Sequence, residues 1–200
     1  MTALRTSARQ YWVAVRAVLV LTAILGIVYP LTIMVLGQIA LPAQANGSLI
    51  VVEGSTRGSS LLGQSFTDAR GVPRPEWFQP RPSAGGYDGA ASGGSNLGPE
   101  NADLVSTINS RRQQIAELNG VPPESVPVDA LTASASGLDP HISPAYARLQ
   151  ANRVAAARGL SLTQVEQLVE SRIQGPDLGF LGEPTVNVLE LNLALSALER

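Results

Sequence analysis

Residues Ala17 to Gly37 run for 21 positions without a charge. An α-helix needs about 20 apolar residues to cross a hydrocarbon core roughly 30 Å thick, and this stretch is long enough. The residues before it carry Arg5, Arg9 and Arg16 and no acid; the first acidic side chain is Glu53. Arginine is retained on the cytoplasmic face, so the asymmetry predicts an N-terminus inside and everything after about Leu41 outside. The expected division is a cytoplasmic N-terminus over 1–12, a transmembrane helix with its flanks over 13–41, and an exterior domain over 42–200. Tyr11 and Trp12 fall at the inner headgroup level, where amphipathic rings are enriched. Pro30 removes a ladder donor and is expected to bend the span. Tyr29, Thr22 and Thr32 are the span residues able to turn toward protein rather than lipid.

A cleaved signal peptide is the rival reading. Ala43-Gln44-Ala45 has the small-residue pattern of a signal-peptidase site, and cleavage there would start the mature chain at Asn46. The apolar run exceeds the usual hydrophobic region of a signal peptide, about 7–15 residues, which favours a retained anchor.

Behind the span remain about 150 residues, enough for one modest domain with its own core. The chain has no cysteine, so disulfides and thiolate metal sites are excluded and the exported domain must stand on packing. All 14 basic residues are arginine. From Glu53 onward 11 arginines face 16 acids. A mildly acidic exterior domain does not seek nucleic acid. Its charge serves solubility, since salt screens any concentrating effect on cations.

Ser48 to Glu53 reads as a short strand or extended exit segment, and Leu61 to Phe66 is a second brief apolar stretch. Trp77 to Pro99 is loop-like, with six glycines and three prolines, yet Trp77, Phe78, Tyr87 and Leu97 argue that it is ordered. Three helices follow. The first is expected over about Pro99 to Asn119, with Pro99 in its first turn, Gly120 as its stop and Leu104, Ile108, Ile115 and Leu118 on one face. The second runs from Pro144 to Arg158 between a Ser143 cap and Gly159. The third starts at a Ser161–Gln164 capping box, with Leu160 and Val165 as a hydrophobic staple. It is expected to line Val165, Leu168, Val169 and Ile173 on one face and to end at Gly175-Pro176. Thr185 to Val188 alternates like a strand and leads into a helical Leu189 to Leu198. The expected fold is an α+β domain on a single membrane helix, with no internal repeat.

Few residues offer chemistry. His141 is the sole histidine, so no zinc site is expected. A hydrolase would use His141 as base and Ser92, Ser95 or Ser136 as nucleophile. None of these serines sits in a Gly-Xaa-Ser-Xaa-Gly elbow, and a structural role for His141, bonding loop backbone ahead of the Ser143 cap, is favoured. Ser92 to Pro99 would present backbone donors to an anion if it opened a helix. It lacks the Gly-Lys-Ser/Thr ending of a P-loop, and the favoured reading is a tight turn in which glycines take positive φ and Asn96 bonds backbone. Arg111-Arg112 reads as a solvated helix face. Arg153 and Arg158 suit the dipole near the end of the second helix and need no ligand. No pair of carboxylates stands out as glycosidase acids.

Three blocks resemble the C subunit of the Kdp-type potassium-transporting P-type ATPase. The first is Arg81-Pro82-Ser83-Ala84 with Tyr87 and then Ser92-Gly93-Gly94-Ser95-Asn96-Leu97-Gly98-Pro99. The second is Thr132-Ala133-Ser134-Ala135-Ser136-Gly137-Leu138-Asp139-Pro140-His141-Ile142-Ser143-Pro144, continuing to Gln150, Arg153-Val154-Ala155 and Ala157-Arg158. The third is Val186-Asn187-Val188-Leu189-Glu190-Leu191-Asn192. With the span, the resemblance covers nearly the whole chain.

The resemblance implies a non-catalytic subunit of a bacterial inner-membrane potassium pump. Its implied partners are a channel-like potassium-binding subunit (KdpA), a P-type ATP-hydrolysing subunit (KdpB) and a small fourth membrane peptide (KdpF), in contact with membrane lipid. The chain has no Asp-Lys-Thr-Gly phosphorylation motif and no lysine, so it is not the energy-coupling subunit. No cofactor of its own is implied; ATP and potassium are handled by the partners. The family is also described as a catalytic chaperone that raises the ATP affinity of the P-type subunit. If nucleotide touches this subunit, Gln150 and Arg153 are the first candidates. Interface and structural-motif roles fall by the same resemblance on Arg81, Pro82, Ser83, Tyr87, Ser92, Gly93, Gly94, Ser95, Asn96, Gly98, Ser136, Gly137, Asp139, Pro140, His141, Asn187, Glu190 and Asn192.

Overall fold

The computed structural model describes residues 2–198, and the side chains from residue 9 onward; Arg5 falls outside the described side chains. The chain forms two compact units, residues 1–49 and 50–200. The first is helical. Helix α1 (Thr2–Ala23) passes through a π-helical turn (Ile24–Val28) into α2 (Tyr29–Ala40). Residues Arg9–Ala40 are long and apolar enough to cross a membrane. Their large apolar side chains, Leu19, Leu25 and Ile33 among them, point outward rather than into a core. The π turn ends two residues before Pro30. An extra residue in the turn accommodates a ring that cannot donate and crowds the carbonyls behind it. Thr32 spends its hydroxyl on Val28 O (2.8 Å). Arg16 lies over the Trp12 ring at 5.8 Å. The short helix α3 (Pro42–Ala45) contains Ala43-Gln44-Ala45, and an amide pair between Gln38 and Asn46 holds it.

The second unit is the mixed α+β domain. Strands β1 (Leu49–Val52) and β2 (Ser55–Ser59) form a hairpin whose turn places Glu53 and Gly54 at positive φ, the conformation a tight two-residue hairpin requires. Helix α4 (Ala102–Asn119) begins three residues later than expected. The Asn101 side chain accepts from the amides of Asp103 and Leu104, so Pro99 stands outside the first turn. Gly120 ends α4 in the left-handed conformation, as expected. A 3-10 turn (Pro123–Ser125) and the short α5 (Val128–Leu131) lead to β3 (His141–Ile142) and α6 (Pro144–Arg158). Helix α6 matches its expected limits, with Ser143 capping Tyr146 N and Gly159 closing the end.

Helix α7 (Leu162–Ser171) has the full Ser161–Gln164 capping box. It ends four residues before Gly175. Ile173 belongs instead to strand β4 (Ile173–Gln174), where pairing with Val186 half-buries it by sheet register rather than by a helical face. Strand β5 (Thr185–Asn187) runs between β3 and β4, antiparallel to both, and passes directly into α8 (Val188–Ala197). The core lies between this sheet and the inner faces of α6, α7 and α8. Ile142, Val154, Val165, Val169, Val186, Leu191 and Leu195 are enclosed there. Phe78 comes from the long loop and is also fully buried; Leu97, at the far end of the same loop, is 40% exposed.

Candidate interaction site

Helix α6 has an unusual inner face, because Gln150 and Arg153 are buried on it beside Ala147, Ala151 and Val154. They are three residues apart and so lie on one side of the helix. A buried amide or guanidinium must find partners, and here the partner is loop backbone. Gln150 Oε1 accepts from Gln79 N (2.7 Å) and its Nε2 donates to Gln79 O (3.0 Å). Asn192 on α8 does the same one residue earlier, accepting from Phe78 N (2.9 Å) and donating to Phe78 O (3.0 Å). Two side-chain amides thus stand where a neighbouring strand would, on a segment that pairs with no strand among the described residues.

Arg153 completes the grip. Its guanidinium donates to Asn119 Oδ1 (2.9 Å), Gln150 Oε1 (2.7 Å), Trp77 O (3.0 Å) and Pro75 O. Burial pulls its pKa down to about 10, so it remains charged at neutral pH. Arg158, one helical turn on, donates from Nε to Glu76 O (2.7 Å) and lies 4.1 Å from the centre of the Trp77 ring. The dipole reading of both arginines therefore understates them: three backbone carbonyls and an aromatic face of the loop are what they hold. Arg111 also departs from a purely solvated role, since it reaches Leu131 O at 3.0 Å and burial lowers its pKa.

A second cluster ties the next part of the loop to the segment before α6. Arg81 pairs with Asp139 (2.8 Å) and donates to Thr132 O (3.3 Å). Asp139 also accepts from His141 N at 2.9 Å, with His141 Nδ1 3.5 Å away. Desolvation opposes the Asp139 carboxylate, but hydrogen bonds from His141 and Arg81 outweigh it and bring its pKa down to about 2. Ser83 donates to Gly137 O (2.6 Å) and accepts from Tyr87 N (3.0 Å), while the Tyr87 hydroxyl bonds Arg81 O. Burial raises the Tyr87 pKa. Gly93 N and the Ser92 hydroxyl both reach Ser136 O, at 2.8 and 3.0 Å. An open depression of about 590 Å³ beside this cluster is lined by Leu61, Leu62, Arg81, Ser134, Leu138 and Asp139, among others.

The third block closes the arrangement. Asn187 caps α8 through Glu190 N (3.2 Å) and donates to Ser60 O (2.8 Å), while Val188 N bonds Pro140 O (3.0 Å). The motif positions thus converge, with Pro82 and Glu190 half-buried and Ser95, Asn96 and Gly98 on the exposed rim.

Ser92 to Pro99 does not open a helix, because Asn101 provides the cap three residues before Leu104. Its positive φ belongs to Asn96, not to a glycine. Gly94 is there for space, since a Cβ would lie 3.1 Å from Ala135 O. Two of the three serines considered as nucleophiles, Ser92 and Ser136, are occupied otherwise, and Ser95 is exposed. Ser92 bonds backbone and Ser136 Oγ accepts from Leu138 N (3.1 Å), and among the described residues no hydrogen bond joins His141 to Ser92, Ser95 or Ser136. Sequence reading missed Gln79, Asn119 and Asp129. Asp129 holds the start of α6, accepting from Ser143 N (2.7 Å) and Ser143 Oγ (2.8 Å). Only Asn119 carried a signal, as a polar residue one helical turn from Ala116 on the inner face of α4.

Comparison with known proteins agrees with the three blocks. A family model described as KdpC, the c chain of the K+-transporting ATPase, matches residues 11–197. A potassium-transporting ATPase KdpC subunit of Kineococcus radiotolerans is 53% identical over 195 residues, 96% of each chain. One from Methylococcus capsulatus is 51% identical over 188 residues, 92% of this chain and 96% of the relative. One from Mycobacterium tuberculosis is 49% identical over 193 residues, 95% of this chain and 99% of the relative. A match from residue 11 to residue 197, with relatives about half identical over nearly the whole chain, places this chain in the KdpC family of potassium-transporting ATPase subunits.

Proposed function

We propose that the chain is a non-catalytic subunit of an ATP-driven potassium-import complex in the bacterial inner membrane, with its N-terminus in the cytoplasm and its domain outside. The observation that carries this reading is how the motif residues are spent. Gln150, Arg153 and Asn192 are turned inward onto loop backbone, and Ser83, Ser92 and Ser136 are tied to backbone across the second cluster. Such an arrangement presents a rigid surface rather than a reacting group. In this reading the helix packs among the membrane subunits and the domain caps the channel-like, potassium-binding one.

The chaperone effect on ATP affinity is then indirect. ATP is bound on the cytoplasmic side, a membrane thickness from an exterior domain, so the influence is a coupling between separate sites, typically about 1–3 kcal/mol. Nucleotide reaching Gln150 or Arg153 would first have to displace the backbone of residues 75–79. The test is to purify the complex through a C-terminal tag on this chain and measure potassium-stimulated ATP hydrolysis against ATP concentration. Wild-type chain should bring down larger membrane subunits with activity. Removing the domain should raise the KM for ATP by roughly tenfold, the equivalent of about 1.4 kcal/mol. An unchanged KM would overturn the chaperone role, and protease protection placing the C-terminus in the cytosol would overturn the capping.

A further inference from the structure

The connection from β4 to β5 ends in an apolar tip that the domain itself does not use. Leu178 is 83% exposed, Phe180 74% and Leu181 50%, three large apolar side chains within four residues. The tip has a built backbone. Asp177 and Leu181 exchange both amide hydrogen bonds at 2.9 Å, Phe180 N adds a third to Asp177 O (3.2 Å), and Gly179 N bonds Pro176 O (3.0 Å). Leu178 sits at φ +54°, followed by Gly179 at +84°. A leucine in the left-handed region is crowded by its own Cβ, and a turn serving only to reverse the chain is better made with glycine or asparagine. The side chain is held outward at the expense of the backbone.

The charges beside the tip decide between lipid and protein. Asp177 and Glu183 flank it and are exposed, and no basic residue lies between Arg172 and Leu198. Segments that settle on membrane surfaces combine apolar groups with lysine or arginine to meet anionic headgroups. An acidic collar is repelled there, but it complements a protein recess rimmed by basic or amide donors.

We propose that residues 177–183 form a docking knob that inserts Leu178 and Phe180 into an apolar, basic-rimmed recess on a protein subunit of the same complex. The knob is a small anchor of the kind that dominates interfaces by filling a pocket, not a whole interface. It rests on the reading of the chain as a complex subunit.

The test uses the full chain in the assembled membrane complex. Leu178→Gly relieves the backbone and removes the side chain together, so it should leave thermal stability of the chain equal or higher while lowering recovery of the larger subunits by tenfold or more. Phe180→Ser should lower recovery similarly, and Phe180→Leu should restore most of it. A photoreactive benzophenone side chain in place of Phe180 should crosslink to a protein subunit. Full recovery with Leu178→Gly and Phe180→Ser, a lipid adduct, or no adduct would each overturn the knob. Failure of the wild-type chain to bring down partners would instead remove the complex reading, and the knob with it.

Discussion

Gln150 and Gln79 form a reciprocal clasp: the side-chain amide of one accepts from the backbone N–H of the other at 2.7 Å and donates to its carbonyl at 3.0 Å. The two residues are 71 positions apart, and both are buried. Because the same Oε1 also accepts from Arg153, the clasp and the arginine grip are one network. Its stability depends on every member being paired, since a half-satisfied buried network is worse than an apolar one.

Replacing Gln150 by Leu should therefore cost more than losing two hydrogen bonds. It strands the amide and carbonyl of Gln79 and one donor face of Arg153, and the expected loss is about 2–4 kcal/mol. Gln150→Glu keeps the acceptor for Arg153 but turns an oxygen toward Gln79 O, and should fall between. Urea unfolding of the full chain, followed by circular dichroism, orders the three proteins as wild type, Glu, Leu. Equal stability of Leu and wild type would show that the clasp is dispensable.

Arg153→Lys should be poorly tolerated although charge is kept. One ammonium cannot reach Asn119, Gln150 and the carbonyls of residues 75 and 77 together, whereas the planar fork does. We expect a loss of about 2–3 kcal/mol. A double-mutant cycle of Arg153→Lys with Gln150→Leu should show coupling of at least about 1 kcal/mol, because both act on one network. Strict additivity would separate them.

What the sequence made legible follows from local chemistry. Helix α6 was bounded correctly because Ser143, Pro144 and Gly159 fix its ends through nearest-neighbour geometry. The end of α7 differs from its expected limit because Ile173 continues a helical apolar spacing, while its partial burial comes from pairing with Val186, a partner 13 residues on. The three motif blocks could be located by resemblance, but what they hold could not. The partners of Gln150 and Asn192 are backbone groups of residues 79 and 78, and backbone carries no sequence signature.

Two glycines with the same backbone conformation should respond differently to alanine. Gly120 and Gly137 lie at φ +63° and +67°. A Cβ at Gly120 meets nothing within 4 Å, so Gly120→Ala should cost only the left-handed penalty, about 1–2 kcal/mol. At Gly137 a Cβ would stand 2.7 Å from Gly93 O and 3.3 Å from Ser83 Oγ, so the loop must also be pushed away. Gly137→Ala should exceed Gly120→Ala by at least 1 kcal/mol and should increase proteolysis within residues 83–98, which Gly120→Ala leaves protected.

Asp139 links this second cluster to acid stability. Its pKa in the folded protein is about 2, against 3.8 without the fold: burial penalises the charged carboxylate, but hydrogen bonds from His141 and then Arg81 favour it more. A depressed carboxylate contributes stability in full above the unfolded value and loses it as pH falls through the folded value. The window therefore lies between about pH 4 and pH 2. With the side chain 28% exposed, solvent trims the contribution to at most roughly 2 kcal/mol. Asp139→Asn should destabilise the domain at pH 6 and narrow the gap to wild type as pH is lowered through that window, because the amide holds Arg81 no better at pH 6 than at pH 2. Thermal melts of the two full-length proteins at pH 6, 4 and 3 measure this directly. A gap that stays constant with pH would mean that Asp139 acts by shape and neutral hydrogen bonding, and that the Arg81 pair adds nothing as a charge.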